Sequence, residues 1–255
     1  MIDLHCHILP GIDDGAKIMD DSIAMARSAV AEGITHILAT PHHKAHGWNN
    51  EKNEIIQLVQ QVQAEIDKQD IPLTIFPGQE VRLYGELLED IDAEKIQFID
   101  EGNQYLLIEF PSAEIPTYTE QLFYQLQHKG ITPIVVHPER NQGILKDPNQ
   151  LKKLIDKGAL AQLTAGSYVG TFGKEVEKLS RDLIEADMIH YIASDAHNTT
   201  TRQFHLKEAY EQLEKEYGRN LIERYQQMTK DLVNGEPVFP PAAKEIKKKR
   251  FFGLF

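Results

Sequence analysis

The chain has 255 residues, enough for one domain with a sizeable core. Its 41% hydrophobic and 26% charged residues exclude a mostly disordered protein. The formal charge of −12 argues against a broad nucleic-acid surface, because binding to phosphate backbones depends on clustered Lys and Arg. We therefore expect a globular protein that does not bind nucleic acid.

The sequence also indicates a compartment. No apolar run approaches the roughly 20 residues of a membrane span, and the first residues lack the basic and apolar regions of a secretory signal. The single cysteine, Cys6, cannot form an internal disulfide, which agrees with a reducing environment. We expect a cytoplasmic protein.

Strand-like apolar runs alternate with amphipathic segments along the chain, a pattern typical of βαβ units and a parallel sheet. The predicted strands are 2–5, 34–39, 73–76, 105–109, 132–136, 160–164 and 190–193. The predicted helices are 20–32, 51–68, 119–129, 148–157, 172–186, 203–217 and 220–233, and the third and fourth strands are joined less clearly, through 86–91. Gly33, Gly130 and Gly158 lie where a helix gives way to a strand, as expected for left-handed C caps. The pattern predicts an α/β fold.

Six of the seven predicted strands run into imidazole or carboxylate side chains at their carboxyl ends, the edge where β/α barrels build active sites. These side chains are His5, His7, His42, Glu80, Glu109, His137, Asp195 and His197. The sixth strand, which ends in Thr164, supplies no obvious ligand. Such polar groups are costly at a barrel mouth unless they find partners, and mixed nitrogen and oxygen ligands suit manganese, iron or zinc. The set predicts a metal centre.

Individual residues of this set also have structural explanations. Any one of these histidines alone could equally be a hydrogen-bonded structural residue. Asp13-Asp14-Gly15 is also a common turn signal, and we expect one of its two aspartates to be a ligand. The histidines outside the pattern are expected at the surface or behind the ligands: His43, His46, His128, His190 and His205.

The motifs resemble, in order, those of the polymerase and histidinol phosphatase (PHP) superfamily. They are His5-Cys6-His7, Asp13-Asp14-Gly15, Thr40-Pro41-His42, Glu80, Glu109, His137-Pro138-Glu139-Arg140 and Ser194-Asp195-Ala196-His197. Within it, the chain is most similar to the bacterial manganese-dependent protein-tyrosine phosphatases of capsule and exopolysaccharide operons. The likeness covers nearly the whole chain, including its Phe-Phe-Gly-Leu-Phe ending. It implies a distorted (β/α)7 barrel of the TIM-like PHP type that carries three divalent ions, manganese first, with iron or zinc as alternatives.

The resemblance also implies a role for each motif residue. The first ion would be held by His5, His7, Glu80 and Asp195. The second would share Glu80 and be completed by Glu109 and His137. The third would be held by Asp14, His42 and His197. We prefer Asp14 to Asp13 because it directly precedes Gly15, although the alignment across this turn is ambiguous.

The implied reaction is hydrolysis of phosphotyrosine by a metal-bound hydroxide, because coordination lowers the pKa of water towards about 7. Arg140 would clamp phosphate oxygens bidentately, and Arg202 matches a second phosphate-binding arginine of the family. For either arginine the alternative is a surface ion pair. The implied partner is a phosphotyrosine protein, either a bacterial tyrosine autokinase or its substrates, in the control of capsule or exopolysaccharide synthesis.

Four other functions compete with this one. A phosphatase for histidinol phosphate or another small molecule would use the same metals. The nuclease role of the superfamily is disfavoured by the acidic charge. An inactive metal-binding scaffold is disfavoured by the complete ligand set, and an amidohydrolase rests on the fold alone.

We divide the chain into the PHP phosphatase barrel at 1–236 and a basic and aromatic tail at 237–255. The tail runs through Lys244 and Lys247–Arg250 into Phe251–Phe255. It is either a solvated end or a segment that contacts anionic lipid or a partner weakly.

The sequence after Cys6 differs from that of cysteine-based tyrosine phosphatases. Those enzymes need an arginine six residues after the nucleophilic cysteine. Here that position is Ile12. We expect Cys6→Ser to retain hydrolysis of p-nitrophenyl phosphate, whereas His137→Ala and Asp195→Ala lose it. Loss of turnover after thiol alkylation of the wild type would contradict this assignment.

Overall fold

A computed structural model describes residues 1–247. Its strands are β1 Ile2–Cys6, β2 His36–Ala39, β3 His42–His43, β4 Thr74–Pro77, β5 Glu80–Arg82, β6 Tyr105–Glu109, β7 Thr132–Val136, β8 Leu160–Thr164 and β9 Tyr191–Ala193. Its helices are α1 Met19–Ala31, α2 Lys52–Lys68, α3 Leu87–Asp92, α4 Thr119–His128, α5 Gln142–Lys146, α6 Asn149–Ile155, α7 Ala165–Tyr168, α8 Lys174–Glu185, α9 Leu206–Tyr217 and α10 Arg219–Val233. Each predicted element is found within a few residues of its expected bounds. The α/β prediction is confirmed.

The strands form two parallel sheets, ordered β1-β2-β4 and β3-β5-β6-β7-β8-β9. Strands β2 and β4 pair with each other, stop, and resume as the pair β3 and β5. Backbone hydrogen bonds from Gly78 N to Ala39 O (2.8 Å) and from Glu80 N to Pro41 O (3.1 Å) hold the two interruptions side by side. The chain therefore keeps its strand order across the break, and His42 lies opposite Glu80 in the register.

The segment after β9 lies against β1 and brings the first and last ligand motifs together. Asp195 N donates to His5 O (2.8 Å) and His7 N donates to Ala196 O (2.9 Å). The buried Asp3 carboxylate accepts hydrogen bonds from Ser194 N (2.8 Å) and Ser194 Oγ (2.5 Å). Asp3 therefore fixes the turn from which Asp195 projects.

The helices cover the sheets with regularly spaced apolar faces. On α2 the buried residues follow one another at intervals of four, three and four, as one face of an α-helix requires: Ile55, Val59, Val62 and Ile66. Full burial of such a side chain stabilises the fold by about 1.5–3 kcal/mol. Among residues 1–247, no helix has both the length and the apolar composition that crossing a membrane requires.

The described part of the tail lies along the body of the protein. Lys244 N donates to Ala186 O (2.8 Å), and Lys244 Nζ lies 2.6 Å from the Asp187 carboxylate. Asn149 exchanges two hydrogen bonds with the backbone of Ile246, both 3.0 Å long. The remaining basic residues and the aromatic ending, 248–255, lie outside the described residues.

A buried histidine below the site makes the stability depend on pH. Burial lowers the pKa of His190 to about 4, and its Nδ1 accepts a hydrogen bond from Ala161 N (2.9 Å). The unfolded chain binds this proton near pH 6.5, so the stability that His190 contributes is complete above that pH and is lost as the pH falls towards 4.

We expect the wild type to lose about 1 kcal/mol more than His190→Asn between about pH 7 and about pH 5.5, because each pH unit in this window is worth about 1.36 kcal/mol. Urea denaturation at the two pH values measures the difference. His128→Asn, at an exposed histidine, is the matched control and should follow the wild type. Equal losses in the wild type and His190→Asn would contradict the prediction.

Candidate metal centre

Glu80 lies at the middle of the site, surrounded by four imidazoles. Its Oε1 is 2.7 Å from His137 Nε2, and its Oε2 is 2.8 Å from His42 Nδ1. The Nε2 atoms of His5 and His7 lie 3.4 and 3.3 Å from the same Oε2. The carboxyl ends of separate strands thus meet, as the strand pattern predicts.

Three groups of these side chains place their ligand atoms within 4.8 Å of one another. The groups are His5, His7 and Glu80; His42, Glu80 and Glu109; and His7, Asp14, His42 and His197. The arrangement resembles the three expected ligand sets in that Glu80 is shared between two groups. It differs in that His7 and His42 each belong to two groups, while His137 and Asp195 contact the cluster without entering one.

The two aspartates of the first loop have different surroundings. Asp13 is buried, and its Oδ2 lies 2.8 Å from His7 Nδ1. It also accepts hydrogen bonds from the backbone N–H groups of Gly15 (2.9 Å) and His42 (3.2 Å). Asp14 Oδ1 instead lies 3.4 Å from His42 Nε2 and 3.3 Å from His197 Nε2. Asp14 therefore faces the cluster, while Asp13 stands behind His7.

The donor set fits divalent cations. Four buried atoms converge on the cluster without a well-oriented hydrogen bond among the described residues, although Glu80 Oε2 and His42 Nδ1 lie only 2.8 Å apart: Asp14 Oδ1, His42 Nδ1, Glu80 Oε2 and His197 Nε2. Buried polar atoms without partners destabilise a fold, and cations coordinated by imidazole and carboxylate would satisfy them. Within residues 1–247, these four atoms therefore indicate a binding site for metal ions.

The pKa values of the cluster histidines are those expected where a metal ion replaces bound protons. Burial, together with the nearby positive charge of Arg140, lowers the pKa of His137 to about 3. Burial and the proximity of His7 likewise lower the pKa of His197 to about 4. Burial also opposes charge on His42, but the Glu80 and Asp14 carboxylates outweigh it and raise the pKa to about 9. A cation that takes the place of this proton would therefore release it.

Both predicted arginines contact the cluster through Asp195. Arg140 Nη2 lies 2.6 Å from Asp195 Oδ2, and Arg202 Nη2 lies 3.0 Å from the same oxygen. Burial opposes charge on Asp195, but Arg140 and Arg202 hold its pKa well below the usual range. The arginines border a cavity of about 210 Å³ that also contacts Asp14, His42 and Glu109. Both arginines therefore form ion pairs with Asp195 at the edge of this cavity.

Two ligand candidates occupy the left-handed backbone region. His137 has φ 36° and Asp195 has φ 54°. Such conformations cost about 1–3 kcal/mol for residues other than glycine and concentrate at functional sites. In these conformations His137 contacts Glu80, and Asp195 contacts His5 and His7.

Several residues behind the ligands were not predicted. Gln162, on the sixth predicted strand, places its Oε1 2.9 Å from His5 Nδ1. Arg82 donates from Nε to Glu109 Oε2 (2.9 Å), and Trp48 stacks on His42 with ring centroids 5.6 Å apart. The signal for Gln162 was a polar residue inside an apolar strand, two positions before Thr164. Such partners orient metal ligands and tune them.

Cys6 and the histidines outside the ligand motifs belong to none of the three groups, and His190 lies neither at the surface nor against a ligand, because it is buried with its Nδ1 on Ala161 N. Cys6 is buried, and its Sγ donates to Ala196 O (3.6 Å) away from the ligands. Burial raises the pKa of this thiol well above its ordinary value, which suits a structural rather than a reactive cysteine. His43 and His190 are buried, and His46 lies at the cavity rim beside Arg82.

The chain matches characterised proteins along its whole length. Residues 1–233 match the family described as "Capsular polysaccharide synthesis, CpsB/CapC". The chain is 45% identical to the tyrosine-protein phosphatase YwqE of Bacillus subtilis (strain 168), over 255 residues and 100% of both chains. It is 28% identical to the tyrosine-protein phosphatase CpsB of Streptococcus pneumoniae, over 86% of this chain and 91% of the relative.

Solved structures agree with these matches. One, from the crystal structures of YwqE and CpsB described as "unique metal-dependent tyrosine phosphatases", superposes with a TM-score of 0.93 at 44% identity, covering 97% of this chain and 100% of the other. A histidinol phosphate phosphatase from Lactococcus lactis subsp. lactis Il1403, complexed with zinc, L-histidinol and phosphate, shares the fold with a TM-score of 0.51 at 14% identity, covering 97% and 100%.

The fold and the site together define an α/β enzyme that depends on bound metal. The chain belongs to the CpsB/CapC family. The resemblance found in the sequence motifs is therefore confirmed.

The two aspartates provide a test of the site. We expect Asp14→Ala to bind one divalent ion fewer than the wild type, because Asp14 faces the third group. We expect Asp13→Ala to keep the wild-type number at saturating metal but to bind it about 10–100-fold more weakly, the usual effect of removing a carboxylate behind a ligating histidine. Manganese titration followed by elemental analysis measures both. Loss of an ion from Asp13→Ala with full occupancy in Asp14→Ala would reverse the assignment.

Proposed function

We propose that this protein is a metal-dependent protein-tyrosine phosphatase. The observation that carries the proposal is the pair of arginines, Arg140 and Arg202, at the edge of a buried cluster of imidazoles and carboxylates. Such a site combines donors for phosphate oxygens with ligands for cations, the two elements that phosphoester hydrolysis requires. The 45% identity to a tyrosine-protein phosphatase over the whole chain supports the same conclusion.

We assign the cluster to three divalent ions, with manganese as the native metal and iron or zinc as alternatives. The proposed ligands are His5, His7, Glu80 and Asp195 for the first ion, Glu80, Glu109 and His137 for the second, and Asp14, His42 and His197 for the third. Bound divalent ions would supply an activated water at neutral pH and charge to offset the phosphate. The shared position of Glu80 in two of the groups supports a bridging role.

Arg140 and Arg202 are the proposed phosphate-binding residues. Each guanidinium has five N–H donors, and contacts to Asp195 use only some of them. The free donors can reach phosphate oxygens in the adjoining cavity, where a planar fork matches two oxygens at once. Their positive charge also attracts an anion to a protein whose overall charge is −12.

The proposed architecture is a distorted (β/α)7 barrel formed by residues 1–236, with 237–255 as an appended segment. Two features support the barrel: β2 and β4 continue as β3 and β5, and Cys6 bridges to Ala196 after β9. Ligands at the carboxyl ends of the strands are typical of barrel enzymes.

The proposed substrate is a phosphotyrosine protein, and by family a bacterial tyrosine autokinase that acts in capsule or exopolysaccharide synthesis. The family description, capsular polysaccharide synthesis, supports this assignment. We also propose a cytoplasmic location, which the free thiol of the single cysteine, Cys6, supports because such thiols are usual in a reducing compartment.

Substrate choice and metal dependence test the proposal together. We expect the manganese-loaded protein to hydrolyse a phosphotyrosine peptide at least about 100-fold more efficiently than histidinol phosphate, a difference in transition-state binding of about 2.7 kcal/mol. Chelation should abolish both activities and manganese should restore them. Phosphate release measured over a range of substrate concentrations gives the comparison. A preference for histidinol phosphate would assign the small-molecule phosphatase instead.

A further inference from the structure

The sixth predicted strand supplies no metal ligand, but the loop that follows it reaches the site. Phe172 lies between α7 and α8, and its ring centre is 5.1 Å from Cζ of Arg140. Phe172 is 37% exposed and forms no part of the hydrophobic core. The exposed ring and the arginine therefore form a pair at the edge of the site.

The loop holds this ring firmly. Thr171 donates to Gly166 O from both its backbone N (2.9 Å) and its Oγ1 (2.8 Å), and Gly173 N donates to Gly170 O (3.1 Å). A Cβ at position 166 would lie 3.2 Å from Phe172 Cε2, so the ring packs closely over the glycine. The close packing fixes the ring before any ligand arrives.

Arg140 has two contacts of different kinds. Asp195 forms an ion pair with it, with Oδ2 2.6 Å from Nη2, and the Phe172 ring attracts the cation through its π face. A phosphate must compete with Asp195 for the N–H groups of Arg140. Phe172 competes less strongly for them, because its ring has no oxygen or nitrogen lone pair to accept a conventional hydrogen bond.

The geometry points to Phe172 as a positioning residue for Arg140: it holds the guanidinium beside the cavity while leaving the N–H donors free for phosphate. This inference rests on the proposed phosphate-binding role of Arg140. It explains why an aromatic side chain, rather than a carboxylate or amide, supports the arginine from this loop. A carboxylate there would occupy the donors that the phosphate needs.

Binding of inorganic phosphate to the manganese-loaded full chain tests the inference without turnover. We expect Phe172→Leu to raise the dissociation constant about two- to fivefold, the range of a partly exposed cation–π contact, and Phe172→Tyr to restore it. Tyr124→Leu removes an exposed aromatic on α4 and is the matched control; it should bind phosphate as the wild type does. Titration calorimetry measures the constants, and manganese content and melting temperature should match across the set.

A double-mutant cycle identifies the route of the effect. In the Arg140→Ala background, Phe172→Leu should change phosphate affinity by less than about 1.5-fold, because the group it positions is absent. Unchanged affinity in Phe172→Leu alone, or an equal fold-loss in both backgrounds, would overturn the inference. Absence of phosphotyrosine turnover by the wild type would instead refute the proposed function, since phosphate binding is measured separately.

Discussion

The buried carboxylate of Glu80 is the interaction on which the rest of the site depends. It contacts four imidazoles, from β1 and the residue that follows it, from β3 and from the turn after β7, at distances of 2.7–3.4 Å. An isolated buried carboxylate costs several kcal/mol, so this arrangement is stable only if positive charge accompanies it. The apparent pKa of Glu80 is held well below its usual range by His42 and His5, which outweigh the burial that would raise it. Bound metal ions would supply positive charge that, unlike the charge of a protonated imidazole, does not depend on the titration of a side chain.

The fold surrounds Glu80 with these groups because it brings strand ends that are distant in the sequence to one edge. Asp3 connects β1 to the turn of Ser194, and the interruptions in β2 and β4 let His42 and Glu80 lie opposite each other. Residues 5 and 195 are adjacent in space through the backbone hydrogen bond of 2.8 Å between Asp195 N and His5 O. The apolar faces of the helices pack on the sheets and stabilise this arrangement of strands.

Much of this could be predicted from the sequence, for a physical reason. A polar side chain at the end of an apolar strand is costly unless it finds a partner, and its recurrence on six strands predicts a common metal site. The short strands β3 and β5 could not be predicted, because two or three residues show no periodicity. Gln162 and Arg82 were missed because they support ligands rather than bind metal. The contact of Phe172 with Arg140 joins two loops whose approach depends on tertiary packing.

The central claim is that these imidazoles and carboxylates surround shared cations. Anomalous diffraction from manganese-loaded crystals, collected above and below the manganese edge, tests it most directly. We expect three strong anomalous peaks within coordination distance of the cluster, two of them flanking Glu80. Anomalous density confined to the protein surface, or crystals in which the cluster is intact and no peak adjoins Glu80 at saturating manganese, would contradict it.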